Sequence, residues 1–109
     1  MSEIGPFDAA QWEAWLDSHH ETEHEAWLVF WKKATGKQEL SYAEAVEVAM
    51  KFGWVDSLEK GIDGERYKLR WTPRRADANW TEKNVALAER LIAEGVMRPS
   101  GLRTYSSRR

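Results

Sequence analysis

A seven-residue alternation of apolar and polar side chains lies near the middle of the chain. In the segment 66–72, Tyr67, Leu69 and Trp71 share one side of an extended backbone. The polar positions of the same segment are Arg66, Lys68, Arg70 and Thr72. This period of two predicts a half-buried β-strand whose exposed face carries positive charge. Pro73 has no N–H to donate to a sheet, so it predicts the end of the strand.

Two other segments also favour strands. Residues 26–31 form a short, continuous apolar run, which is typical of a central strand buried on both faces. Residues 54–58 alternate and are followed by the turn residues 61–64, so they predict a hairpin with the strand 66–72. The alternation in 54–58 places Asp56 in a row with Trp54 and Leu58, on one face.

Three segments repeat apolar residues at helical spacing. Each is preceded by a residue whose side chain caps helices, namely Asp8, Ser41 and Thr81. The first helix is expected to end near residues 18–20. The second is expected over about 42–52, and glycines predict the ends of the second and third helices, Gly53 and Gly95.

The predicted order of elements is α-β-α-β-β-α, with one more short helix beginning at Pro99. Helices mixed with an antiparallel hairpin predict an α+β fold, a two-layer sandwich with a small antiparallel sheet. A chain of 109 residues has the size of one domain. Residues 1–109 are therefore expected to form a single domain, with a flexible tail over about 103–109.

Composition narrows the classes of function. The chain has no cysteine, so it has no disulfide, thiolate nucleophile or cysteine-based metal site. No apolar run approaches the ~20 residues of a membrane span, and the N-terminus lacks a signal pattern, so a cytoplasmic protein with no membrane partner is expected. The sequence indicates no catalytic residue, no metal site and no cofactor, and it favours a non-catalytic protein over an enzyme.

The charges are unevenly distributed along the chain. Residues 1–31 contain seven acidic side chains and no lysine or arginine, whereas residues 60–109 contain twelve basic and six acidic side chains. This asymmetry indicates a side of the molecule that binds anions. The alternative is that both halves are simply solvated surface.

Arg74 and Arg75 follow the cationic strand directly, and Trp80 precedes the third helix. Guanidinium groups suit phosphate and carboxylate, and a helix N-terminus adds partial positive charge. The candidate ligand-binding residues are Asp56, Arg66, Lys68, Arg70, Arg74, Arg75, Trp80 and Asn84. A bare buried carboxylate is costly, so Asp56 is expected to pair with an arginine of the neighbouring strand. That pair is either structural or orients a ligand.

Segments spread over nearly the whole chain carry a family resemblance. They are residues 27–33, 35–37, 41–45, 52–56, 66–67, 71–75, 79–81, Asn84 and 94–102. In these segments the chain resembles the YdeI/OmpD-associated (bacteriocin-protection) proteins of bacteria, whose fold is grouped with the YjbR/CyaY-like domains. The resemblance implies that fold and a role in stress or bacteriocin tolerance. DNA binding, with which YjbR-like relatives are often labelled, is a fold-level analogy.

Two functions emerge from these features. The first is a small non-catalytic bacterial module that binds an anionic ligand, either nucleic acid or a phosphate- or carboxylate-bearing compound. The second is a protein–protein interaction module of a stress-protection system, which contacts its partner through the first-helix tryptophans or the cationic strand face. The oligomeric state stays open. For the first function, we expect one cleft where the third helix begins, lined by Asp56, Arg70, Arg74, Arg75, Trp80 and Asn84.

Overall fold

The computed structural model describes residues 3–75 and 80–108. Four helices and a four-stranded sheet make an α+β fold, as the sequence predicts. The elements are β1 (Glu3–Ile4), α1 (Ala9–His19), β2 (Ala26–Trp31), α2 (Tyr42–Lys51), β3 (Trp54–Gly61), β4 (Arg66–Pro73), α3 (Glu82–Ala93) and α4 (Pro99–Ser106). A single 3-10 turn, Lys33–Thr35, lies between β2 and α2.

The strands follow the order β1-β2-β4-β3, so β3 lies at one edge of the sheet. β4 runs antiparallel to both of its neighbours, as expected for the hairpin. β1 pairs with β2 in the parallel direction. The sheet is therefore mixed, whereas the sequence predicts a small antiparallel sheet. β1 was not predicted, because a two-residue strand is too short to show a period in the sequence.

The predicted helix caps are present. Asp8 and Gln11 exchange side-chain and backbone hydrogen bonds in a capping box, and Ser41 does the same with Glu44. Thr81 accepts a hydrogen bond from the backbone of α3. The capped helices α1 and α2 pack on one face of the sheet, and the core between them includes Trp12, Leu16, Leu28, Phe30, Ala45, Ala49, Trp54, Leu69 and Trp71.

The fourth helix covers the first part of the segment 103–109, for which the sequence predicts a flexible tail. α4 continues to Ser106, and the half-buried Tyr105 meets the ring of Trp80 edge-on, with 5.7 Å between the ring centroids. The N-terminal half of α4 lies against the end of α2, where a Cβ on Gly101 would collide with the backbone of Lys51. Packing rather than local sequence therefore orders residues 103–106. Residue 109 lies outside the described part of the chain.

A β-bulge in β3 changes the direction of its side chains. Asp56 lies opposite Trp71 of β4, and Leu58 lies opposite Arg70, so two steps along β3 correspond to one step along β4. Asp56 consequently keeps the core side of the sheet with Trp54. Leu58 instead points to the other face, where it is 52% exposed. The prediction that Leu58 shares a face with Asp56 is therefore wrong.

Candidate functional site

Strand alternation places the candidate residues on two different faces. Leu69 and Trp71 belong to the core between sheet and helices, so the alternating Arg66, Lys68 and Arg70 point to the opposite side, here called the polar sheet face. Asp56 lies opposite Trp71 and belongs to the helix side. Arg70 and Asp56 therefore do not line the same cleft, since Arg70 and Trp71 are neighbours on a strand and point in opposite directions.

The three cations that β4 places on the polar sheet face have acidic partners. The ion pairs are Arg66–Asp63 at 2.8 Å, Lys68–Glu3 at 2.7 Å and Arg70–Glu25 at 2.9 Å. Glu3 and Glu25 come from the acidic N-terminal third of the chain, so the charge asymmetry of the sequence is largely cancelled across this face. Trp27 also occupies two ammonium groups, because Lys60 and Lys68 lie over its ring at 5.3 and 5.1 Å.

Arg74, by contrast, is buried. It is 9% exposed, and its backbone N–H donates to the carbonyl of Gly53 at 2.7 Å, which extends the β3–β4 ladder by one step. The guanidinium lies over the ring of Trp80, with 4.5 Å between Cζ and the ring centroid. Its Nε is buried and finds no acceptor in the part of the chain that the structure describes. Burial lowers the pKa of Arg74, and the charge of Asp56 acts in the opposite direction.

Asp56 accepts a hydrogen bond from the hydroxyl of Tyr42 at 3.1 Å. Burial raises the pKa of Tyr42, and the charge and hydrogen bond of Asp56 raise it further. The expected arginine partner of Asp56 is thus replaced by a tyrosine of α2, while Arg74 interacts with it through its charge. Sequence reasoning missed Tyr42, because its position after a helix cap is explained by the cap alone.

Asn84 and Arg75 are less closely tied to this arrangement. Asn84 lines a groove of about 330 Å³ between α2 and α3, together with Tyr42 and Leu87. Arg75 lies at the surface next to residues 76–79, which the structure does not describe. The helix side therefore brings together Asp56, Arg74 and Trp80 from the candidate set, with Asn84 in the adjoining groove.

A small hollow of about 200 Å³ lies beside Arg74, between the end of β4 and α4. Arg74, Arg103 and His20 line it together with hydroxyl groups of α4. The Ser100 hydroxyl donates its proton to the carbonyl of Phe52 at 2.9 Å, so it offers lone pairs rather than a proton to the hollow. The guanidinium groups are therefore the strongest donors that line this hollow.

Two features are absent from residues 3–75 and 80–108, a metal-binding cluster and a membrane-spanning helix. No group of three or more histidine and acidic side chains is arranged to hold a metal ion. No helix among these residues has the length and apolar character needed to cross a membrane.

The fold and these side chains define a small α+β domain with a buried arginine at one edge of its sheet. The chain belongs to a family described as a domain of unknown function (DUF8412), whose model matches residues 5–104. No curated protein and no solved structure matches the chain.

Proposed function

We propose that this protein is a small non-catalytic module that binds an anionic ligand through Arg74. The buried guanidinium, whose Nε has no acceptor among the described residues, carries the proposal. A buried donor without an acceptor costs free energy, and a buried charge is stable only when it is compensated. A bound oxyanion supplies both an acceptor and an opposite charge.

The ligand is proposed to be a small phosphate- or carboxylate-bearing compound rather than nucleic acid. A protein binds a nucleic acid chiefly through many lysines and arginines that neutralise successive phosphates of its backbone. The three cations that β4 places on the polar sheet face are paired with carboxylates instead. The hollow beside Arg74, at about 200 Å³, suits one oxyanion group of a small ligand. A cytoplasmic, bacterial role in stress or bacteriocin tolerance, as the resemblance to the YdeI/OmpD-associated family implies, is part of the same proposal.

The test is to titrate the protein at low salt with inorganic phosphate, single-stranded DNA and duplex DNA in separate experiments. Binding is monitored by the amide chemical shifts in NMR spectra. Phosphate is expected to shift the amides around residues 53 and 74, and Arg74→Met is expected to abolish the effect. Arg90→Met is the matched control, because Arg90 is an exposed guanidinium already paired with Glu47 at 2.9 Å. Phosphate binding that survives in Arg74→Met would refute the proposal, and tighter binding of either DNA would favour nucleic acid.

A second candidate function is protein–protein interaction through the polar sheet face. β3 supports it, because this strand lies at the edge of the sheet, where its backbone groups are open to a partner, and carries Leu58, which is 52% exposed. The first-helix tryptophans offer less surface, since Trp12 is fully buried and Trp15 is half-buried. Leu58→Lys is expected to abolish capture of a stoichiometric protein partner and to leave phosphate binding unchanged. If capture is unaffected, this surface is not the contact.

A further inference from the structure

A hollow of about 710 Å³ lies between the 3-10 turn, the start of α2 and the β3–β4 hairpin. Its volume falls within the range of ordinary small-molecule sites, roughly 300–1,000 Å³. Lys32, Lys33, Glu59, Gly61 and Tyr67 are among its lining residues. Tyr42, the hydrogen-bond partner of Asp56, lines it as well, so this hollow adjoins the arrangement around Arg74. Arg74 and Trp80 are not among its lining residues, and it is therefore a second candidate site.

The positive charge at this hollow comes from Lys32 and Lys33, which follow β2 directly. The lysines that form ion pairs in the described part of the chain are Lys37, Lys51 and Lys68. Lys32 and Lys33 therefore have no described carboxylate partner, unlike the three cations that β4 places on the polar sheet face. α2 also begins at this hollow, but Glu44 in its first turn offsets the partial positive charge of the helix N-terminus, so the two lysines supply the positive charge here.

Tyr67 offers a flat aromatic surface beside these charges. Its ring stacks on Phe30, with 5.2 Å between the centroids and 11° between the planes. On the other flank its cross-strand neighbour is Gly61, which has no side chain. A Cβ built at Gly61 would meet nothing within 4 Å, so open space adjoins the tyrosine on this flank.

Glu59 lies on the opposite side of Tyr67 from the two lysines. β4 separates β2 from β3 in the sheet, and Glu59 lies opposite Leu69, on the same face as Tyr67. Glu59 pairs with Leu69, which pairs with Leu28, so Glu59 lies two strand spacings, about 10 Å, across the sheet from Leu28. Lys32 follows four residues further along the chain from Leu28, so the lysines and Glu59 lie at opposite corners of the hollow. Burial raises the pKa of Tyr67 and the charge of Glu59 raises it further, as expected for neighbours.

We propose that this hollow binds a nucleoside monophosphate whose base carries an exocyclic amino group, such as AMP or CMP. The phosphate lies at Lys32 and Lys33, and the base stacks beside Tyr67 in the space that Gly61 leaves open. The exocyclic amino group donates a hydrogen bond to the carboxylate of Glu59. Phosphate and amino group stand at opposite ends of the nucleotide, as the lysines and the glutamate stand on opposite sides of the tyrosine.

Calorimetric titration with AMP, IMP, CMP and UMP at low salt tests this assignment. AMP is expected to bind about tenfold more tightly than IMP, and CMP about tenfold more tightly than UMP, because a carboxylate accepts from an amino group and repels a keto oxygen. Glu59→Gln is expected to remove both preferences, since an amide both donates and accepts. The double variant Lys32→Ala, Lys33→Ala is expected to weaken all four nucleotides by roughly tenfold or more. Equal affinities for the amino and keto nucleotides would overturn the proposal.

The substitution Gly61→Val tests the stacking space without disturbing the backbone. Gly61 does not have a positive φ and a Cβ there meets no neighbour, so a strand-favouring valine is expected to leave the fold intact while it fills the space beside Tyr67. Nucleotide binding is expected to be lost. Gly64→Ala is the matched control, because a Cβ at Gly64 also meets nothing and Gly64 is not among the residues that line the hollow. Wild-type affinity in Gly61→Val would overturn the proposal.

A 5′-phosphorylated adenosine at the end of an RNA strand carries the same phosphate and base as free AMP. One more probe therefore distinguishes a free nucleotide from the end of an RNA strand. An oligoribonucleotide that begins with a 5′-phosphorylated adenosine presents the same phosphate and base together with a following chain. Weaker binding than AMP supports a free nucleotide as the ligand. Tighter binding than AMP overturns that assignment in favour of a strand end.

Discussion

The guanidinium of Arg74 lies 4.5 Å from the ring centroid of Trp80, measured from Cζ. Trp80 meets Tyr105 of α4 on a second side, so the contact links the end of β4 with the helix layer. The charge at the centre of this packing is offset through space by Asp56, which is itself hydrogen-bonded to Tyr42. The Arg74 side chain therefore contributes packing against Trp80 and also carries a buried charge. Substitutions that keep the packing but remove the charge separate the two effects.

Replacing Arg74 by methionine tests this separation. Methionine keeps an unbranched apolar side chain against Trp80 and removes the buried charge. The free energy of unfolding is expected to stay within about 1 kcal/mol of the wild type or to rise, while phosphate binding is lost. Urea unfolding monitored by circular dichroism measures the first quantity. A loss of several kcal/mol would mean that Arg74 serves the fold rather than a ligand.

The hydrogen bond between Tyr42 and Asp56 has a titration signature. Asp56→Asn removes the negative charge beside the phenol, so the pKa of Tyr42 is expected to fall, although burial, the larger cause of its elevation, is expected to keep it above its ordinary value. Ultraviolet absorbance follows the titration, and Tyr42→Phe identifies the transition. Tyr42→Phe is also expected to cost about 0.5–1.5 kcal/mol of stability. An unchanged Tyr42 titration in Asp56→Asn would contradict this contact.

Glu13 joins three helical segments. Its carboxylate in α1 forms ion pairs with Lys51 of α2 at 3.0 Å and with Arg98, just before α4, at 3.4 Å. Burial acts to raise the pKa of Glu13, but the hydrogen bonds and charges of these two cations lower it below its usual value. Glu13→Gln is expected to cost about 1 kcal/mol at pH 7, as measured by urea unfolding.

The lowered pKa of Glu13 determines how its contribution to the free energy of unfolding depends on pH. Because the folded state holds Glu13 ionised more strongly than the unfolded state, its contribution is present above the unfolded pKa, about 4.3. It is lost as the pH falls through the folded value, so wild type and Glu13→Gln are expected to converge in acid. Glu94→Gln is the control, since its exposed pair with Arg90 at the C-terminal end of α3 is expected to contribute less than about 0.5 kcal/mol. A difference that persists at pH 2 would contradict the ionic explanation.

Asp63 provides a pH marker for the β3–β4 turn. Its hydrogen bonds with the Arg66 side chain and with the turn backbone lower its pKa from 3.8 to about 2. The stabilisation of the turn by the ionised carboxylate is therefore complete above about pH 4 and is lost as the pH falls towards 2. Carboxyl carbon shifts in NMR spectra should report the low pKa, and Arg66→Gln should move it upwards. A pKa near 4 in the wild type would show that the pair does not form in solution.

Local patterns were sufficient for much of the fold. The capping residues Asp8, Ser41 and Thr81 begin helices as predicted, and the alternation of residues 66–72 forms a strand with Trp71 fully buried. Each of these features depends on residues within one or two turns of each other. The bulge at Asp56 and Leu58 was not predictable, because it depends on how β3 aligns with β4.

The amino-acid sequence by itself determined the α+β class, the helix boundaries and the burial of the apolar strand row, since periodicity and capping are local properties of the chain. Only the tertiary structure decided which partner each charged side chain has and which face of the sheet it lies on. Glu3 reaches Lys68 and Glu25 reaches Arg70, whereas Arg74 is turned to the helix side and Lys32 and Lys33 have no described acidic partner. Charge partners are chosen by strand order and side-chain direction across the sheet, and spacing along the chain does not contain that information.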